Sequence, residues 1–168
     1  FACNGILFNH ESERRDETFV TRKITRGLCK IFLGFKKCLY LGNINSYRDW
    51  GYAKDYVKMQ WLMLQRKTPQ DYVISSGRTI SVRAFVNKAS KYLGFEISWK
   101  GKGIKEIGYV SKIKNKNVKI NIGDIVIKID PAYFRKTEVD YLKGSSKKAK
   151  RELGWEPETK LSKLIQIM

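Results

Sequence analysis

The chain holds 168 residues, 42% of them hydrophobic, which is enough for a packed core and excludes wholesale disorder. Its 34 Lys and Arg outnumber 16 Asp and Glu, and the formal charge of +18 favours an anionic ligand. No apolar run reaches the roughly 18 residues of a membrane helix, and Cys3, Cys29 and Cys38, with one histidine, compose no zinc site and read as idle thiols of a reducing cytosol.

Residues 1–8 are mostly apolar and end at Asn9, the pattern of a buried strand in an α/β sheet. They lack an initiator methionine and are too short for a signal peptide, so the sequence reads as a fragment. The polar run from Asn9 to Arg15 reads as a loop. Thr18 is placed to cap a helix whose apolar positions Val20, Ile24, Gly27, Leu28 and Ile31 recur at three and four, with Gly34 as its stop. Lys37 to Leu41 reads as a short strand that turns at Gly42-Asn43. A second helix is predicted over Tyr52 to Gln65, with Ala53, Tyr56, Val57, Gln60, Trp61 and Leu64 on its inner side and Pro69 beyond its end. Tyr72-Val73-Ile74 makes a strand closed by Ser75-Ser76-Gly77. Ser81 caps a third helix that turns Val82, Phe85, Val86, Ala89 and Tyr92 inward and ends at Gly94.

Phe95 to Trp99 is another short strand. The segment 101–121 is rich in Gly, Lys and Asn and reads as a surface loop or hairpin. Ile122 to Ile129 is a strand stopped by Pro131. Ser145 caps a short helix through Leu153 that Gly154 terminates, and Leu161 to Met168 begins a last helix. Strands alternating with helices set the fold class as α/β.

Four clusters carry chemistry. The first, Asn9-His10-Glu11-Ser12 to Arg15, leaves the carboxyl end of a strand, where α/β folds place ligands. There His10 can donate to a phosphate or ribose oxygen, and Arg15 offers a planar fork matched to phosphate. In the second, Thr21-Arg22-Lys23 sit in the first turn of a helix, whose free N–H groups attract anions. The third joins Leu41-Gly42-Asn43 to Arg48-Asp49-Trp50: the glycine lets backbone approach a nucleotide, Arg48 can clamp a diphosphate, and Asp49 can orient that guanidinium or cap the next helix. In the fourth, Arg135 can meet a second phosphate and Glu138 can accept from sugar or base N–H groups. Read singly, each cluster has a plain alternative: a loop histidine packed on its neighbours with an arginine in water, ordinary solvated charge, an Asp–Arg surface pair, and an internal Arg–Glu pair, in that order.

Their order and wording resemble the GDP-mannose 4,6-dehydratase family. The resemblance runs through Gly5-Ile6-Leu7-Phe8-Asn9-His10-Glu11-Ser12, Phe19-Val20-Thr21-Arg22-Lys23-Ile24-Thr25-Arg26, Arg48-Asp49-Trp50-Gly51, the segment Tyr133 to Asp140, and Lys150-Arg151-Glu152-Leu153-Gly154-Trp155. It implies the C-terminal part of a Rossmann-like extended short-chain dehydrogenase/reductase. Residues 1–17 would end the Rossmann domain and its cofactor loop. Residues 18–168 would mainly form the smaller nucleotide-sugar-binding domain, interleaved with Rossmann elements. The implied activity, a lyase reaction of GDP-fucose biosynthesis, converts GDP-mannose to GDP-4-keto-6-deoxymannose with NADP. By motif, His10 and Arg15 would contact NADP, while Asn9, Val20, Lys23, Asn43, Arg48, Arg135 and Glu138 would line the GDP-sugar site. A cytoplasmic homodimer or homotetramer is implied, the latter pairing through cofactor loops like the one holding Arg14 and Arg15.

Glu13 and Asp16 depart from the proline and glycine usual in that loop, making it more acidic. The chain has no Gly-x-x-Gly-x-x-Gly turn and no Tyr-x-x-x-Lys, so catalytic residues are expected upstream of Phe1 and none within it. Another nucleotide-sugar epimerase or reductase of the same fold is the nearer alternative. A basic nucleic-acid-binding module is the remoter one, because the lysines are spread over every segment and no reading motif is present.

Overall fold

Short apolar runs bounded by turn residues become strands, and longer runs with a 3.6-residue period become helices. The computed structural model describes residues 1–133 and 138–168. In chain order the elements are β1 (Gly5–Leu7), β2 (Asn9–Glu11), α1 (Val20–Phe32), β3 (Leu39–Leu41), β4 (Tyr47–Arg48), β5 (Trp50–Tyr52), α2 (Ala53–Leu64) and β6 (Tyr72–Ile74). There follow β7 (Ile80–Ser81), α3 (Val82–Leu93), β8 (Phe95–Lys100), β9 (Ile107–Ile113), β10 (Ile125–Ile129), α4 (Lys147–Leu153) and α5 (Leu161–Ile167). The class is α/β, as the alternation requires. Among the described residues no helix is long and apolar enough to cross a membrane.

The chain divides into two compact units. The first combines Phe1–Arg14, Tyr47–Ile80 and Tyr141–Ile167; the second combines Arg15–Ser46 and Ser81–Asp140 with Met168.

In the first unit β1 runs parallel to β6, with Gly5 opposite Tyr72, and β2 runs parallel to β5, with Asn9 opposite Trp50. Parallel partners are joined by long connections, and α2 lies on the one from β1 to β6, between β5 and β6. The core gathers Tyr56, Met59, Met63, Tyr72, Ile74, Ala149 and Trp155. Asp55 locks the tail onto α2: its carbonyl accepts from the Trp155 indole N–H at 3.1 Å, and its carboxylate accepts from the Thr159 N–H at 2.9 Å. Gly154, at φ +63°, ends α4 in the left-handed conformation.

The second unit is a four-stranded sheet in the order β3-β10-β9-β8, in which β10 is parallel to β3 and antiparallel to β9. Ile24, Leu28 and Ile31 of α1 and Val82, Phe85, Val86 and Ala89 of α3 are buried with Leu39, Leu41, Phe95, Val110 and Ile127 of the strands. Gly27 permits the closest approach, since a Cβ there would lie 2.9 Å from Leu39 Cδ1.

Several local expectations are corrected. Asn9 to Glu11 is a strand rather than a loop, because β5 offers it a ladder. Thr18 does not cap α1: its N–H and hydroxyl both donate to Asp16 Oδ1, at 2.9 and 2.6 Å, and the helix starts at Val20 behind Phe19 without a side-chain cap. On α2 the inward face is Tyr56, Met59 and Met63, while Val57, Trp61 and Leu64 are each about 60% exposed. Both stripes satisfy helical spacing, so the sequence pattern alone does not choose between them. Tyr92 likewise points outward. Ser146, not Ser145, precedes α4, and its hydroxyl donates to the Ser75 carbonyl at 3.1 Å. Within 101–121 the hairpin alternative holds, since β9 pairs antiparallel with β8, but it is not confined to the surface: Val110 is fully buried, and all the segment's lysines except Lys112 lie outside the strand. The Ser81 cap behaves as expected, its Oγ accepting from the Ala84 N–H at 3.1 Å.

Candidate functional site

In the first unit, β1 leads through Phe8 directly into β2, which fixes the backbone of Asn9 and His10. The ladder sets His10 opposite Gly51. The His10 Nδ1 lies 3.1 Å from the Phe8 carbonyl oxygen, and a proton donated there leaves Nε2 as the nitrogen available to a ligand. Its ring rests 5.6 Å from that of Tyr56. Gly51 makes this packing possible, because a Cβ there would come within 2.4 Å of Tyr56 Cε1. Burial, and then the nearby Asp49 charge, push the Tyr56 phenol well above its ordinary value, so it stays protonated.

Arg48 precedes this ladder by two residues. Its Nη1 donates to the Tyr47 carbonyl at 2.8 Å, and the side chain lines a small recess with Trp50, Arg78, Ile80 and Thr159. Asp49 does not serve as an α2 cap; that position belongs to Tyr52, with no side-chain bond. Instead its carboxylate is fully buried and accepts from the N–H groups of Ser76, Gly77 and Gly144 at 2.9, 3.0 and 3.1 Å, and from the Ser76 hydroxyl. One carboxylate thus holds two turns far apart in sequence.

In the second unit, α1 begins at Val20, half-buried, and brings Lys23 one turn later. The Lys23 ammonium sits 3.2 Å from the centroid of the Tyr133 ring, an arrangement that orients the cation and partly strips it of water. Gly42, after β3, meets the same residue from the other side, where a Cβ would lie 2.5 Å from the Tyr133 carbonyl oxygen. Asn43 folds back so that its Oδ1 accepts from the Asn45 N–H at 3.0 Å. Lys23 and Gly42 therefore meet at Tyr133, beyond the end of β10, and Asn43 follows Gly42 in the chain. The Arg15 guanidinium is stacked 3.4 Å from the centroid of the Phe19 ring, a planar fork held in place. Glu138 is half-buried, and Arg135 lies outside the described residues. Among the described residues no cluster of His, Cys, Asp and Glu suits a metal ion.

Sequence reading singled out Asp49 but not its role as the anchor of two turns, and it did not find the cations Arg78, Lys143 and Lys147 beside those turns. Their only signal was a pair of glycine turns, Ser76-Gly77-Arg78 and Lys143-Gly144-Ser145, each carrying a positive charge.

A family model described as GDP-mannose 4,6 dehydratase matches residues 1–168. The chain is 54% identical over 169 residues to the GDP-mannose 4,6-dehydratase of Yersinia enterocolitica, covering all of itself and 45% of that relative. It matches the same enzyme of Vibrio cholerae at 54% identity with the same coverage. Among solved structures it is similar to RMD from Pseudomonas aeruginosa complexed with NADPH, with a TM-score of 0.71, 17% identity, and coverage of 97% of this chain and 44% of that one. That likeness bears on fold alone, that of the Rossmann-type enzymes. The chain spans 45% of the length of those two curated relatives. Because the family match is continuous from Phe1 to Met168, the chain belongs to the GDP-mannose 4,6-dehydratase family.

Proposed function

We propose that this chain is the part of a GDP-mannose 4,6-dehydratase that holds the nucleotide sugar, in an enzyme using NADP and acting in the cytoplasm as a homodimer or homotetramer. The observation that carries the reading is the meeting of Lys23 and Gly42 at Tyr133, with Asn43 next to Gly42 in the chain. An oriented, partly desolvated ammonium beside a glycine and an amide is a chemistry for diphosphate and sugar oxygens. Asn9, Val20, Arg48, Arg135 and Glu138 are assigned to the same ligand. Residues 1–17 are assigned to the end of the cofactor domain, and 18–168 mainly to the sugar-binding domain, interleaved with Rossmann elements.

His10 and Arg15 fit a nicotinamide dinucleotide phosphate by their donor chemistry. The Phe8 carbonyl fixes one ring nitrogen of His10 and leaves the other to a ligand, and Phe19 presents the Arg15 fork flat. The chemistry NADP supplies when bound is hydride uptake from C4 of GDP-mannose and its return to C6, on either side of water loss across C5–C6. Proton transfer is assigned to no residue of this chain. The test is calorimetric titration of the chain with GDP. Lys23→Ala and Arg48→Ala are expected to weaken binding by about tenfold or more; unchanged affinity in both would overturn the assignment.

A further inference from the structure

In the first unit a cavity of about 620 Å3 lies apart from His10 and Asn9. One wall is the turn after β6, Ser76-Gly77-Arg78. The other is the segment from Lys143 to Lys147 that enters α4, with Lys150 and Glu156 at the rim. Four cationic side chains face this space against one carboxylate, and that carboxylate, Glu156, is bound to Lys150 at 2.5 Å. Arg78, Lys143 and Lys147 have no ion pair among the described residues. Like charges are not gathered this way without cost, and an anion between them would relieve it.

The walls are fixed, not loose. Asp49 anchors the first through Ser76 and Gly77 and the second through Gly144, from a fully buried position. The walls also meet closely: a Cβ on Gly144 would lie 2.2 Å from Ser75 Cβ, and Gly77 takes φ +70°. Apart from Pro157 the lining offers no apolar side chain and no aromatic ring. A hydrophobic ligand or a stacked base finds no platform, whereas an arginine fork, two ammonium groups and serine hydroxyls match phosphate oxygens.

We propose that this cavity is a binding site for a small diphosphate anion, held by Arg78, Lys143 and Lys147 on walls that Asp49 locks together. The inference does not depend on the Lys23 site. Free pyrophosphate and the diphosphate of a nucleotide share this chemistry. With no ring platform present, adenosine diphosphate is expected to bind no tighter than pyrophosphate.

The experiment is calorimetric titration of the 168-residue chain with inorganic pyrophosphate and, separately, adenosine diphosphate, at low and raised salt. Lys143→Glu/Lys147→Glu is expected to weaken pyrophosphate binding by about tenfold or more. Arg78→Gln, a milder change that leaves the fold intact, is expected to act in the same direction. Lys112→Glu/Lys116→Glu, an equal charge change in the second unit, is expected to stay within about twofold of the parent. Equal loss in both double variants would reduce the effect to net charge and overturn the proposal, as would a parent chain that binds no pyrophosphate. Adenosine diphosphate binding well above pyrophosphate would overturn the diphosphate assignment in favour of a base-reading site.

Discussion

Asp49 is surrounded by three backbone N–H groups and a hydroxyl, and the three N–H groups lose their acceptor if the carboxylate is removed, whereas the Ser76 hydroxyl still reaches the Arg78 carbonyl at 3.2 Å. A buried donor left unsatisfied costs about 1–3 kcal/mol, so Asp49→Ala should lower the unfolding free energy by roughly 3 kcal/mol or more. Urea titration followed by tryptophan fluorescence measures this; a loss below about 1 kcal/mol would mean that water replaces the carboxylate easily. The residue type was legible in the sequence, and so was its neighbour Arg48. Its role was not, because Ser76 and Gly144 lie 27 and 95 residues away and only the folded chain brings them together. His10 and Lys23 show the same limit. Their chemistry could be named from the sequence, but the Phe8 carbonyl that orients one and the Tyr133 ring that orients the other could not.

At the scale of elements, helix spans read well because periodicity over 12 or 13 residues is a strong signal. Caps and faces read less well. Two apolar stripes on α2 compete, and packing against Tyr72, Ile74 and Trp155 decides for the one that contains the methionines. Met59→Ala should therefore cost about 2–5 kcal/mol, whereas Trp61→Gln should stay within about 0.5 kcal/mol. Thermal unfolding of the two variants checks the assignment, and a reversed order would restore the face read from sequence. The β1–β6 pair carries a pH signature. The Asn4 N–H, at 2.7 Å, and the Asn4 side-chain amide hold the Asp71 carboxyl below its ordinary value. A depressed acid stabilises the fold above its unfolded value of 3.8, and that contribution fades as pH falls through the lower folded value. The stability gap between the parent and Asp71→Asn should accordingly be full at pH 6 and close as the solution approaches pH 3. A gap that stays constant across that range would assign the effect to packing alone.

At the scale of the molecule, the alternation of strands and helices made the α/β class legible, and the ordered motifs made the family legible. The division into two units was not, since each is assembled from separate stretches of chain, with Tyr47–Ile80 and Tyr141–Ile167 returning to the unit that Phe1 begins. No local pattern encodes such a return; it follows from which apolar faces find each other. The parallel pairing of β1 with β6 and β2 with β5 is its physical expression, as partners in a parallel sheet are necessarily distant in sequence. The most direct measurement joins this chain to the upstream portion of the Yersinia enterocolitica relative and assays the purified, cooperatively folded chimera for NADP-dependent conversion of GDP-mannose. Formation of GDP-4-keto-6-deoxymannose, lost in the Lys23→Ala chimera while folding is kept, is the expected result. A folded chimera that leaves GDP-mannose unchanged, or one whose turnover ignores Lys23, would contradict the assignment of this chain to the nucleotide-sugar site.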